Sequence, residues 1–207
     1  MVPSARSADA FDDSTIVTAR LVLRRPRPAD AERLAVLAND RAIADNTALI
    51  PHPYTLADAR AFIAMAGGSG AKPVFVACLA AAPDVLIGSA GLDGRGATGG
   101  GELGYWVGAP FRGQGFATEM AHALVDLAFA GEAERLSASC RVTNDASRRV
   151  LAKCGFQWEG VALVSSVGFG GAFPADRFRL DRGTWQSLRA WGSARSVAGP
   201  DPMRLAG

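Results

Sequence analysis

Partial alternation of apolar and polar positions predicts a strand over 17–25, stopped by Pro26 and Pro28. Ala31, Leu34, Ala35 and Ala38 recur at helical spacing behind Asp30, a candidate N-cap, so a helix is expected over 30–38. Thr55 and Asp58 form a capping-box pattern ahead of a second helix to about residue 66, which Gly67, Gly68 and Gly70 end. Apolar runs at 73–79 and 86–92 read as strands around a loop with Pro83 and Asp84. A glycine-rich turn follows at 94–101, then a strand at 102–107. Ala117, Met120, Ala121, Leu124 and Ala128 give the next helix, to about residue 130, one apolar face. Beyond it the pattern predicts a strand at 136–142, a helix at 144–154 ended by Gly155, and strands at 156–164 and 177–180. Gly168, Gly170 and Gly171 mark a loop between those two strands, and a last helix falls at 184–191. The order is strand, two helices, three strands, helix, strand, helix, two strands. It describes a mixed α+β sheet protein and not a regular βαβ array. The expected organisation is a loose arm at 1–14, one domain at 15–192 and a mobile tail at 193–207.

Composition narrows the classes. Of 207 residues, 49% are hydrophobic and 20% charged, which supports a globular core and excludes a disordered chain. Net charge is +2, with no long basic block, so nucleic-acid binding is not expected. Three cysteines without CxxC spacing point to reduced thiols in the cytoplasm and not to disulfides or zinc. Only two histidines, His52 and His122, argue further against a metal cluster. No apolar run is long enough to span a membrane, and the first 14 residues lack the apolar stretch of a secretory signal. Glycine is the outlier: 11 of 24 fall between Gly88 and Gly115.

The glycines sharpen one unit, a strand running through a glycine loop into a helix. Backbone N–H groups of Gly113, Gln114, Gly115, Phe116 and Ala117 would point out of a helix N-terminus. Such a nest binds phosphate, helped by the helix dipole. Arg112 adds charge, and glycine lets backbone approach an anion closely. A bare strand-to-helix turn is the alternative reading. The sequence contains no G-x-x-x-x-G-K-[ST] loop, and Gly113-x-Gly115 lacks the third glycine of a dinucleotide fingerprint.

Arg112-Gly-Gln-Gly115-Phe-Ala117 resembles the R/Q-x-x-G-x-G/A pyrophosphate signature of the GNAT acyl-CoA N-acetyltransferase superfamily. Asn144-Asp-Ala-Ser147, with Leu151, Lys153, Gly155 and Phe156 following, is similar to the N-x-x-S-x-x-x-L-x-K-x-G-F pattern of the ribosomal-protein acetyltransferases RimJ and RimL. Thr18-Ala-Arg20-Leu-Val-Leu23-Arg24, followed by Asp30-Ala31, and Glu102-Leu-Gly-Tyr105-Trp106-Val107 match the same subgroup. The resemblance spans residues 16–182 in four ordered motifs.

It implies a mostly antiparallel sheet flanked by helices, with the strands at 102–107 and 136–142 splayed around acyl-CoA. The pantetheine would lie along Trp106 and Val107, a backbone N–H near Val107 would meet the developing oxyanion, and Asn144 would contact the thiol side. An acceptor amine would attack acetyl-CoA directly. The amine must shed a proton, and Glu102 is the candidate base, acting through water, with Asp93 and His52 as alternatives. Many superfamily members place a proton-donating Tyr seven residues after the Asn; here that position is Leu151, so Ser147 is the candidate beside the sulfur. With a thiol pKa of about 8.5, a weak acid or none suffices.

On the acceptor side the candidates are the 40–58 segment, with His52 and Tyr54, and the 165–174 loop. Asp40, Asp45 and Asp58 lie in that region. A protein N-terminal amine, a small amine such as an aminoglycoside, amino acid or polyamine, and a non-catalytic acyl-CoA-binding module all remain open, as does a monomer or homodimer.

Overall fold

The computed structural model describes residues 15–68, 72–94 and 101–195. The expected arm at 1–14, most of the glycine turn at 94–101, and the chain after residue 195 lie outside the described residues. Strands β1 (Ile16–Val17) and β2 (Leu21–Arg24) precede helices α1 (Ala31–Ala38), α2 (Arg41–Ala44) and α3 (Leu56–Gly67). Strands β3 (Val74–Leu79), β4 (Ala82–Asp93) and β5 (Glu102–Val107) lead into helix α4 (Phe116–Ala130). Strand β6 (Arg135–Arg141), helix α5 (Asp145–Lys153), strands β7 (Gln157–Ser166) and β8 (Gly171–Asp181), and helix α6 (Arg182–Arg195) complete the chain. The eight strands form one sheet in the order β1-β2-β3-β4-β5-β6-β8-β7. Every neighbouring pair is antiparallel except β5 and β6.

Several expected boundaries move, each for a local reason. The single first strand is two, because the Thr18 hydroxyl and amide close a turn onto the Leu21 carbonyl. Pro83 lies inside β4 and not in a loop. It sits where the register jumps from Cys78↔Leu86 to Leu79↔Ala82, an irregularity that needs no N–H from it. The last strand, expected only at 177–180, runs from Gly171 to Asp181 because β6 and β7 flank it on both sides. Helix α2 is too short to leave a periodicity. Helix α6 reaches Arg195, past the expected start of the tail.

Asp30 does not cap α1 through its side chain. Its buried carboxylate instead takes two 2.8 Å bonds from Arg24 and one from the Arg27 amide. Burial alone would raise its pKa, but these bonds outweigh that cost and hold the carboxyl below its usual range. The Thr55–Asp58 capping box forms as expected.

Strand alternation divides the apolar residues between two cores. Leu21, Phe75, Ile87, Leu103 and Leu136 face α4 and α5, where Met120, Leu124, Phe129 and Leu151 close over them. Val76, Cys78 and Leu86 face α1 and α3, against Leu34, Tyr54 and Ile63. Phe129 is 1% exposed, its ring centroid 5.2 Å from that of Trp185 on α6. Phe129→Ala should therefore cost about 3–5 kcal/mol, read as a lowered urea midpoint at unchanged slope.

Candidate functional site

Strands β5 and β6 pair through two residues only, Glu102↔Ser137 and Leu103↔Ala138. Beyond Leu103 the two part, while β5 stays paired with β4 through Val107. The Gly108 amide donates to the Ile87 carbonyl on the β4 side. Because amide directions alternate along a strand, the N–H groups of Val107 and Tyr105 turn toward the gap beside β6. This is the splayed pair that the resemblance implied, and it leaves backbone donors along one wall of a cleft.

At the end of β5 the chain makes a short 3-10 turn at Ala109–Phe111 and enters the glycine loop. Gly113 and Gly115 have φ of +76° and +83°, a left-handed region that glycine enters without penalty. Gly115 is the N-cap of α4 and has no side chain to satisfy the first amides, so the amides following it are left facing outward. Gly113, Gln114 and Gly115 are exposed, Ala117 is half-buried, and the Phe116 ring is buried in the core. Arg112 is held differently from expectation. Its Nε donates to the Val107 carbonyl at 3.0 Å and an Nη to Asp40 at 2.6 Å, so its charge is partly neutralised and braces the loop against α2.

Arg20 was not singled out for this loop, and it lies 94 residues from Gln114. Its Nη1 donates to the Gln114 carbonyl at 2.9 Å, and its guanidinium lies 4.6 Å from the Phe116 ring centroid. Glu119 on α4 fixes Arg20 through the amide and the side chain, and also accepts from Thr18 at 2.6 Å.

Across the gap stands the start of α5. Asn144 Oδ1 accepts from the Ser147 amide at 3.1 Å, so Asn144 is the helix N-cap. Ser147 Oγ shares a 2.8 Å hydrogen bond with the Tyr105 hydroxyl. Tyr105 is the residue that sequence reasoning missed in the Glu102–Val107 strand. Alternation in that strand was its signal, since Leu103, Tyr105 and Val107 share the α4/α5 face. Burial drives its phenol pKa well upward, more than the Ser147 bond lowers it, so Tyr105 keeps its proton. Cys140 and Cys154 are buried free thiols whose pKa values burial raises, that of Cys154 to about 12. Neither presents a thiolate.

Glu102 and Trp106 lie on the opposite face of β5. Glu102 accepts from Ser139 Oγ at 2.9 Å and remains partly accessible; Trp106 packs beside the α1/α3 core. Asp93, opposite Glu102 on β4, forms an ion pair with Lys72. His52 is exposed. Tyr54 is 9% exposed in the α1/α3 core, and its phenol is pushed up to about 12 by burial and by Asp58, so its ring serves packing before any acceptor contact. The 40–58 segment and the β7–β8 turn do meet. Ser166 donates to the Thr47 carbonyl, the Val167 amide to that of Ala48, and a Cβ at Gly168 would fall 2.5 Å from the Ile50 carbonyl. Among the described residues no group of three His, Cys, Asp or Glu side chains could hold a metal, and no helix is long and apolar enough to cross a membrane.

Comparison with known proteins agrees with this geometry. Residues 20–157 match the family model of the acetyltransferase (GNAT) domain. No curated protein matches the chain. Among solved structures, a GNAT-family acetyltransferase from Bacillus anthracis is 23% identical, with a TM-score of 0.71 over 82% of this chain and 99% of that one. Mycobacterium smegmatis RimJ, in complex with CoA-disulfide, is 19% identical, with a TM-score of 0.67 over 83% and 89%. Vibrio cholerae spermidine N-acetyltransferase, in complex with CoA and spermine, is 20% identical, with a TM-score of 0.68 over 82% and 99%.

The Glu119 brace has a pH signature. Burial opposes its charge, but the bonds from Thr18 and Arg20 prevail and lower its pKa. A depressed carboxylate contributes stability above its unfolded pKa, about 4.3, and loses it as pH falls through the lower folded value. Glu119→Gln should be less stable than the parent at pH 6, with the difference shrinking toward zero below about pH 4 in urea titrations.

Proposed function

Since the chain belongs to the GNAT acetyltransferase family, we propose that it transfers the acetyl group of acetyl-CoA to an acceptor amine by direct attack, with a protein N-terminal amine as the leading acceptor. The observation that carries this reading is the two-residue pairing of β5 with β6, which leaves a cleft ending at a nest of helix N-terminal amides. The residues present fit acetyl-CoA. Gly113 to Ala117 offer amides and helix dipole to its pyrophosphate, and the free edge of β5 offers N–H groups to its pantetheine. The bound thioester supplies an activated acetyl carbon; the remaining work falls to the chain.

The Val107 amide is turned into the gap and would donate to negative charge growing on the thioester oxygen. On one side of β5, Glu102 is held by Ser139 and takes the amine proton through water. A Lys amine, pKa about 10.4, needs more of this help than an N-terminal amine, about 7.7–8.0. On the other side, Tyr105 and Ser147 stand where the thiol forms. With Tyr105 as the donor in the hydrogen bond the two hydroxyls share, the serine hydroxyl would be free to donate to sulfur. This pair occupies the role left vacant by Leu151. The RimJ/RimL-like motifs favour a protein N-terminus as acceptor, and the buried, protonated thiols speak against an acyl-cysteine.

Glu102→Gln should lower kcat by about 10²- to 10⁴-fold while the KM for acetyl-CoA changes little, followed by CoA thiol release. Ser147→Ala should cost about 10-fold or less in kcat. A loss of several thousandfold would make Ser147 the essential acid.

A further inference from the structure

The sheet face that carries Glu102 continues across β6 and β8. Ser139 lies directly opposite Arg177 on β8, and Arg141 opposite Ala175. Opposed residues of an antiparallel pair share a face, and the bond from Ser139 to Glu102 shows that this is the face of the candidate base. In register Glu102 faces Ser137 and then Arg179, so Glu102, Ser139 and Arg177 form an oblique line across three strands on one face. Gly104 and Arg177 are exposed and Glu102 is half-buried, so the line is open to an incoming acceptor.

Charge on this side is unevenly satisfied. Asp40 is neutralised by Arg112, Asp45 by Arg41, and Asp93 by Lys72. Arg179, also on this face, is paired with Glu159 and Asp181. Among the described residues neither Arg177 nor Arg141 forms an ion pair. Arg141 is nonetheless fixed, its guanidinium 4.9 Å from the Phe169 and 5.6 Å from the Phe173 ring centroid, with Nη1 toward the Asp45 carbonyl. The Phe173 ring, 3% exposed, makes this a rigid support. A guanidinium held by aromatic rings loses little freedom when it takes a carboxylate in its remaining donors.

Resting on the transferase reading above, we infer that the preferred acceptor is an amine that also carries a carboxylate, recognised by Arg177 with Arg141 beyond it. Two strand spacings and a two-residue offset along the strand, about 12 Å in all, separate Arg177 from Glu102, so the acid lies within about that distance of the reacting nitrogen. A peptide beginning with a small residue and an acidic one meets this geometry, and so does a short amino acid. A polyamine does not, because it brings cations to unpaired arginines while the nearby aspartates are already engaged.

The test is CoA thiol release with matched acceptors. One arm uses peptides differing only in Asp or Lys at their second residue. The other uses 4-aminobutyrate against 1,4-diaminobutane. The acid-bearing member should be favoured at least about 10-fold in kcat/KM, and the arm with the larger kcat/KM tells a peptide from a small molecule. Arg177→Glu should reverse the preference, Arg177→Lys should keep its direction, and Arg141→Gln should weaken it, each with a thermal midpoint near the parent's. Turnover that favours the ammonium-bearing member, or a ratio indifferent to Arg177→Glu, overturns the inference and leaves the transferase reading intact. No thiol release with any acceptor overturns both.

Discussion

The short parallel pairing of β5 and β6 is the constraint on which the rest depends. Two strands that separate after Leu103 leave backbone groups without a neighbouring strand in the middle of a sheet. A buried backbone donor left unpaired costs about 1–3 kcal/mol, so such a gap persists only where something else meets it. Here the gap opens at Tyr105 and Val107 and ends at the glycine loop, whose first amides are also unspent. An extended ligand with a hydrogen-bonding chain and an anionic end satisfies both. Alternation along β5 places Glu102 on one face of the strand and Tyr105 on the other.

In the proposed reaction that separation would have a chemical use. Amide formation from an amine and a thioester moves one proton off nitrogen and delivers one to sulfur. A base and an acid on one face would neutralise each other as a hydrogen-bonded pair. In the proposed reaction the β5 strand would stand between the base Glu102 and the Tyr105–Ser147 pair, and each has its own hydroxyl partner, Ser139 for Glu102 and Ser147 for Tyr105. The outer supports are built the same way, from distant parts of the chain. Arg20 and Glu119 hold the glycine loop from the β1–β2 turn and α4, and Asp40 holds Arg112 from the start of α2.

Much of the cofactor half was legible in the chain. Gly113 and Gly115 announce themselves because few other residues enter positive φ, and Asn144 because capping residues are few and locally determined. Asp30 misled for the same reason. Its position suits a cap, but a half-buried Arg24 offers two bonds where the helix amide offers one. Arg112 misled in part, since a loop arginine reads as a free charge until Asp40 is brought beside it. Tyr105 and Arg20 escaped because their partners lie 42 and 94 residues away, and no spacing rule reaches that far.

Local physics therefore determined most of the elements, their order, the glycine turn before α4 and the family pattern, since each rests on side-chain periodicity or on backbone preferences that act over a few residues. Only the tertiary structure decided which charges remain unspent. Asp40 and Asp45 lie in the expected acceptor region along the chain, yet Arg112 and Arg41 take both. Arg177 is inconspicuous in sequence and becomes the next side chain beyond Glu102 and Ser139 once β8 pairs with β6. Charge balance is a property of neighbours in space, and strand pairing chooses those neighbours across distances that composition does not record.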